Sequence, residues 1–263
     1  MSVEHPENST SPATAVTSTG AQREPTRLDG DPPISVDRSL LRLGAALGAL
    51  WVVLQIVMDR LHPHRFDPND SAAAFREYAT SDIWTAVHIG QFAGTLFIVL
   101  GLIALGRSLA HQSGFAGSLG TVGTVTAVLI AAVFAVQMAV DGVALKAAID
   151  AWIGAVNTAD QAAAFRVAES VRWTEKGLGG FFQIIQGATL LTLGLSMSFG
   201  RRYPRWLGWI GVLAGIAIAA GGTVTAHTGF SAQAGLILLP GTLLLAAFLV
   251  AAFISMWRRS AAR

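Results

Sequence analysis

The chain has 263 residues, of which 52% are apolar and 13% charged, with a net charge of +2 and no cysteine. The charged share is about half of the roughly 25% usual in soluble domains. The lack of cysteine excludes disulfides, thiolate metal sites and thiol nucleophiles, and the basic excess lies in short loops beside apolar runs, which is no footprint for nucleic acid.

Residues 1–37 hold Ser, Thr, Pro, Gly and charges with almost no large apolar side chains. Such a segment buries too little apolar area to offset its ordering entropy, so a disordered tail is expected, and it lacks the continuous apolar core of a secretion signal. From there on, runs of about twenty apolar residues recur, the length that crosses a hydrocarbon core about 30 Å thick. They predict spans at about 40–58, 85–105, 122–143, 178–199, 206–225 and 235–257. Isolated runs of this length satisfy their backbone polar groups only as helices. The fold class is therefore all-α: a polytopic membrane protein of six transmembrane helices over residues 38–258, with a short tail at 259–263. Its first partner is the lipid bilayer.

With the N-terminus inside, one side receives Arg38, Arg42, Arg107, Arg201, Arg202, Arg205, Arg258 and Arg259 in short loops and tails. Every acid after residue 37 falls on the other side, between spans one and two, three and four, or at their ends. The positive-inside rule places both termini in the cytoplasm. Every basic residue except Lys146 and Lys176 is Arg, which with the abundant Ala and Gly points to a high-GC bacterium and its plasma membrane. Tyr203, Trp206, Trp209 and Trp257 suit an inner aromatic belt, and Trp84 and Trp173 an outer one.

One pattern occurs twice. Gln55-Ile-Val-Met-Asp59, Asp70-Ser-Ala-Ala-Ala-Phe75-Arg76 and Trp84-Thr85 return in order as Gln137-Met-Ala-Val-Asp141, Asp160-Gln-Ala-Ala-Ala-Phe165-Arg166 and Trp173-Thr174. This reads as an internal duplication, repeat 1 at about 40–106 and repeat 2 at about 121–199, with a third hairpin at about 206–257. An even number of crossings separates the copies, so the two hairpin repeats are parallel. Asp70 and Asp160, each ahead of strong helix formers, predict N-caps of short outer helices with Phe75 and Phe165 turned inward.

Gln55 and Asp59 share a helix face, as do Gln137 and Asp141. Each Asp sits near a helix C-terminus, where the macrodipole disfavours an anion, so each needs a partner, and Arg60, Arg76, Arg166, Arg172 and Lys176 are available nearby. Together with His88, these four side chains are the candidates for binding a solute or ion in an outward-facing cavity. The plainer alternative is a hydrogen-bonded clasp between a span and its outer segment. His88 and His227 would be haem ligands only if they faced each other at matched depth, which the sequence does not fix. His62-Pro-His64-Arg-Phe-Asp67 has metal-like residue types but suits an extended turn equally well. No metal, cofactor or catalytic residue is assigned, since phosphate-binding loops, zinc-protease helices and nucleophile elbows are all missing.

Gln91, Gln183 and Gln186 lie inside apolar helices, where amides hydrogen-bond across helices, and Gly211-x-x-x-Gly215 marks close packing. Pro240 is expected to kink the last span. Arg201-Arg-Tyr-Pro204-Arg205-Trp206-Leu207-Gly-Trp-Ile-Gly211 resembles a large bacterial family of six-helix membrane proteins catalogued as a domain of unknown function, whose members enter their fifth span with Pro-Arg-Trp-Leu. The resemblance implies the six-span layout and carries no activity. The expected function is thus binding or movement of a small solute or ion; the alternative is a structural or accessory role in which the outer segments dock a protein partner.

Overall fold

The computed structural model describes residues 38–63 and 65–261. The tail reading for 1–37 lies outside the described residues, as do His64 and the last two residues of the C-terminal tail. The described residues contain no strand. In chain order the helices are α1 (Arg38–Leu61), α2 (Ser71–Ala79), α3 (Trp84–Ala110), α4 (Gly114–Ala139), a π-helical turn (Val140–Leu145), α5 (Lys146–Ile153), α6 (Thr158–Phe199), α7 (Arg205–Thr228) and α8 (Ala232–Ala261). Counting α4, the π turn and α5 as one rod, six helices are long and apolar enough to cross a membrane. Large apolar side chains on their outer faces stay exposed, among them Val53, Leu100, Val125, Phe181, Ile216 and Leu243. A soluble bundle would bury such a belt, whereas a bilayer solvates it.

Each spanning helix packs on its chain neighbours, and α8 closes back on α1, giving a ring. The ring is filled near its basic end by Leu105, Leu109, Leu193, Met197, Leu207 and Phe248. α6 and α7 make the tightest contact. Glycines recur every seven residues on both, at Gly180, Gly187 and Gly194 and at Gly208, Gly215 and Gly222. A Cβ on Gly187 would meet the Gly215 carbonyl oxygen at 2.6 Å, and one on Gly194 the Gly208 carbonyl at 2.7 Å. Small residues at such spacing let two backbones touch in lipid, where no hydrophobic effect draws helices together.

The first outer segment follows the expectation. Pro63 and Pro68 break the chain after α1, and Asp70 caps α2 by accepting from the Ala73 amide at 3.1 Å. The second differs from it. No separate short helix forms there, and Asp160 is not the cap: Asn157 is, accepting from the Asp160 amide at 2.9 Å. α6 then runs unbroken for 42 residues. The cause is local, because no proline interrupts residues 158–199, and a helix once nucleated propagates through Ala, Gln, Glu and Arg at little cost. Likewise the third span does not stop near Val143 but continues through the π turn to Ile153. α8 is continuous through Pro240.

The segments that join the first span to the second and the third to the fourth bury one another. Phe75, Tyr78, Trp84, Leu145, Ile149 and Trp152 form a second apolar core at the acidic end. Phe75 is fully buried, its ring 5.9 Å from that of Phe165 and 6.2 Å from that of Trp152. The two phenylalanines therefore meet at the same end of the bundle, turned toward each other.

Candidate functional site

The site grows from an irregularity in the third span. The π turn adds a residue to one helical turn and leaves two carbonyls facing α3. Trp84 donates Nε1–H to the Asp141 carbonyl at 3.0 Å, and Thr85 donates its hydroxyl to the Gly142 carbonyl at 2.8 Å. Gly142 makes the approach possible, since a Cβ there would sit 2.5 Å from the His88 Cβ. Single π turns inside α-helices recur at functional sites, because they rotate a side chain out of the α register.

Here the side chain is that of Asp141, which is 7% exposed. Its Oδ2 lies 3.0 Å from His88 Nε2, and the other ring nitrogen, Nδ1, lies 2.7 Å from the Trp84 carbonyl oxygen. A carbonyl only accepts, so Nδ1 carries the hydrogen, and the Nε2–Oδ2 contact needs one further proton or a cation between the two atoms. Arg172 Nη1 lies 3.8 Å from Asp141 Oδ1 and 2.9 Å from Glu175 Oε2. The guanidinium also donates to Tyr78 Oη at 3.3 Å and stacks over the Tyr78 and Phe230 rings. Glu175 is 2% exposed and takes a side-chain hydrogen bond from Gln137. Burial pushes the Tyr78 hydroxyl above its usual range, although Arg172 opposes this.

These groups border a cavity of 590 Å³ at the acidic end, walled also by Gln55, Asp59, His62, Gln91 and Gln183. Its wall holds three carboxylates against one guanidinium. Four acceptor atoms on it, Gln137 Oε1, Asp141 Oδ1, Glu175 Oε2 and Gln183 Oε1, and one donor, Arg172 Nε, are buried and make no hydrogen bond with any described residue, although Glu175 Oε2 keeps its ion pair with Arg172. Gln55 and Phe134 are shared with a deeper cavity of 310 Å³ inside the ring, which is apolar apart from Gln55, Gln186, Thr95 and Thr242.

The chain matches no family model, and neither a curated protein nor a solved structure matches it.

Of the five side chains singled out from sequence, Gln55, Asp59, Gln137 and Asp141 line the cavity, and His88 stands behind Asp141 as its hydrogen-bond partner. Asp59 is exposed, unlike Asp141. His227 is exposed in the last turn of α7, whereas His88 is buried against Asp141, so the two are not presented as a haem-ligating pair. Sequence reasoning named Arg172 only as one of several possible partners for the aspartates and His62 only within a metal-like run, and it missed Glu175 and Tyr78 altogether. For Arg172 and Glu175 a signal existed: charges within an apolar-flanked helix, three apart and so on one face.

Proposed function

We propose that the protein binds a small cationic or hydrogen-bond-donating solute in the cavity at its acidic end, as part of moving that solute across the membrane. One observation carries this reading. The cavity wall combines three acidic side chains, against one arginine, with buried acceptors on Gln137, Asp141 and Gln183 that take no hydrogen bond from a described residue. Buried acceptors left unpaired cost about 1–3 kcal/mol each, so such a wall is stable when a donor-rich guest or ordered water fills it. The positive-inside rule makes the acidic end extracytoplasmic, and the deeper cavity supplies a continuation toward the ring centre. Both Gln-x-x-x-Asp pairs reaching one cavity, and Phe75 meeting Phe165, support the reading of two parallel repeats.

The test is thermal stabilisation of purified full-length protein across monovalent and divalent cations, amines and amino acids. A ligand at about 100 times its Kd adds about 2.7 kcal/mol of stability. That shift is expected from cationic members and should vanish in Asp59→Asn and Asp141→Asn. A panel with no shift at all would overturn the proposal in favour of an accessory role. Two observations favour that second reading: Arg172 already pairs with Glu175, and Val156 is 95% exposed at the turn between α5 and α6, where a protein partner could dock.

A further inference from the structure

The geometry points to a divalent-metal site of zinc type formed by His62, His88 and Asp141. They come from three segments, the turn after α1, the first turns of α3 and the π turn. One ring nitrogen of each histidine and a carboxylate oxygen of Asp141 lie within 4.8 Å of one another. Zinc bonds nitrogen and oxygen at about 2.0–2.1 Å, so tetrahedral ligands stand about 3.3 Å apart. The His88–Asp141 edge, at 3.0 Å, is close to that spacing, and the half-buried His62 side chain completes the group within 4.8 Å.

Ring orientation supports the assignment independently. A metal-binding imidazole characteristically donates its second N–H to a carbonyl or carboxylate, which fixes the tautomer and aims the lone pair. Both histidines are held that way. His88 Nδ1 bonds the Trp84 carbonyl and His62 Nδ1 bonds the Pro63 carbonyl, each at 2.7 Å, which fixes the orientation of both rings. The remaining carboxylate oxygen, Asp141 Oδ1, is buried and accepts no hydrogen bond from a described residue. Arg172 stands 3.8 Å from it and is drawn toward Glu175 instead, at 2.9 Å. His62 and Asp141 both line the cavity, so a fourth ligand position would open onto it, as in zinc sites that keep water or an exchangeable ligand.

The site shares its cavity with the proposed solute but does not rest on that reading. The experiment is zinc titration of chelator-stripped full-length protein without solute, read as metal retained after gel filtration and as the absorption of a cobalt(II) substitute. The solute panel is run on zinc-free protein, so either reading can fail alone. Wild type should retain one zinc per chain and give a tetrahedral cobalt spectrum. His62→Phe keeps an aromatic ring against Trp84 and Tyr78 and should keep the metal-free melting temperature while binding zinc at least tenfold more weakly. Asp141→Asn should weaken zinc binding likewise. No retained zinc in wild type, or equal retention in His62→Phe and Asp141→Asn (binding at exposed His111 or His227), would overturn the site.

Discussion

Replacing Gly142 with alanine tests the contact on which the site is built. In an ordinary helix interior, glycine to alanine gains about 0.8–1.0 kcal/mol from backbone entropy and propensity. At Gly142 the new methyl would lie 2.5 Å from His88 Cβ and 3.0 Å from its Cγ. Those atoms are next to the α3 backbone and cannot swing aside, so the π turn and α3 must separate. Overpacking of this kind costs about 1–3 kcal/mol. The same separation stretches the Trp84–Asp141 and Thr85–Gly142 hydrogen bonds, each of which contributes about 1 kcal/mol. Set against the propensity gain, the net effect is a loss of about 1–4 kcal/mol. Gly177→Ala and Gly235→Ala are the controls, because a Cβ at either meets nothing within 4 Å. Both should be neutral or stabilising. Melting of the purified variants in one detergent reads all three. A Gly142→Ala protein that melts with the two controls would refute the close approach of α3 to the π turn.

Other outcomes follow from the same packing. Arg172→Met should cost about 3–5 kcal/mol, because it leaves buried carboxylates uncompensated, while Arg172→Met with Glu175→Met should recover part of the loss; unfolding in graded denaturant decides it, and a double variant no better than the single one counts against a direct pair. Asn157→Ala should weaken the start of α6 by about 1 kcal/mol, seen as faster amide exchange over 158–161, whereas Asp160→Ala should change it less. Burial raises the Tyr203 hydroxyl above its usual range, although its hydrogen bond with Ser108 at 2.9 Å opposes this. Since the unfolded chain loses that proton first, the contribution of Tyr203 is intact below about pH 10 and lost as pH rises through the folded value. Melting temperatures from pH 9 upward should therefore fall more steeply in wild type than in Tyr203→Phe, and parallel curves would contradict this.

The number and order of the spans were legible because length and hydropathy alone select for them, and proline marked the first outer turn at Pro63 and Pro68. The second outer segment was misread for a related reason. Its landmark residues match those of the first, but a helix boundary depends on breakers, and residues 158–199 have no proline. A lone Asp before Ala-Ala-Ala looks like a cap in isolation; with Asn157 three residues ahead, the helix starts earlier and Asp160 becomes part of its first turn. The seven-residue glycine spacing on α6 and α7 was present in the sequence, yet it acquires meaning only once the two helices are known to pair. The cluster around Arg172 was harder still. Its members come from the turn after α1, from α2, α3, the π turn and α6, and nothing in local sequence joins segments so far apart in the chain.

The two Gln/Asp pairs show why a repeated pattern does not imply a repeated role. At the end of α1 the chain leaves the helix soon after Asp59, so that carboxylate stays in solvent at the cavity rim. At the equivalent point in the third span the helix continues, and the π turn carries Asp141 into protein, against His88 and toward Arg172. An anion there loses hydration and must be matched by neighbours. α3 and α6 provide them with His88 on one and Arg172 on the other. Trp84-Thr85 fixes this arrangement by bonding the carbonyls that the π turn exposes, while Trp173, its counterpart in the second pattern, is exposed and stacks on Lys176 instead. The asymmetry thus leaves one acid of the cavity wall exposed and one buried. A cationic guest would meet Asp59 first and Asp141 second, with Gln55 between the outer cavity and the ring interior. Asp59→Asn should accordingly slow association of such a guest and lose its salt dependence, whereas Asp141→Asn should speed its release. Stopped-flow kinetics separates the two, and equal effects on both rates in both variants would remove the ordered path.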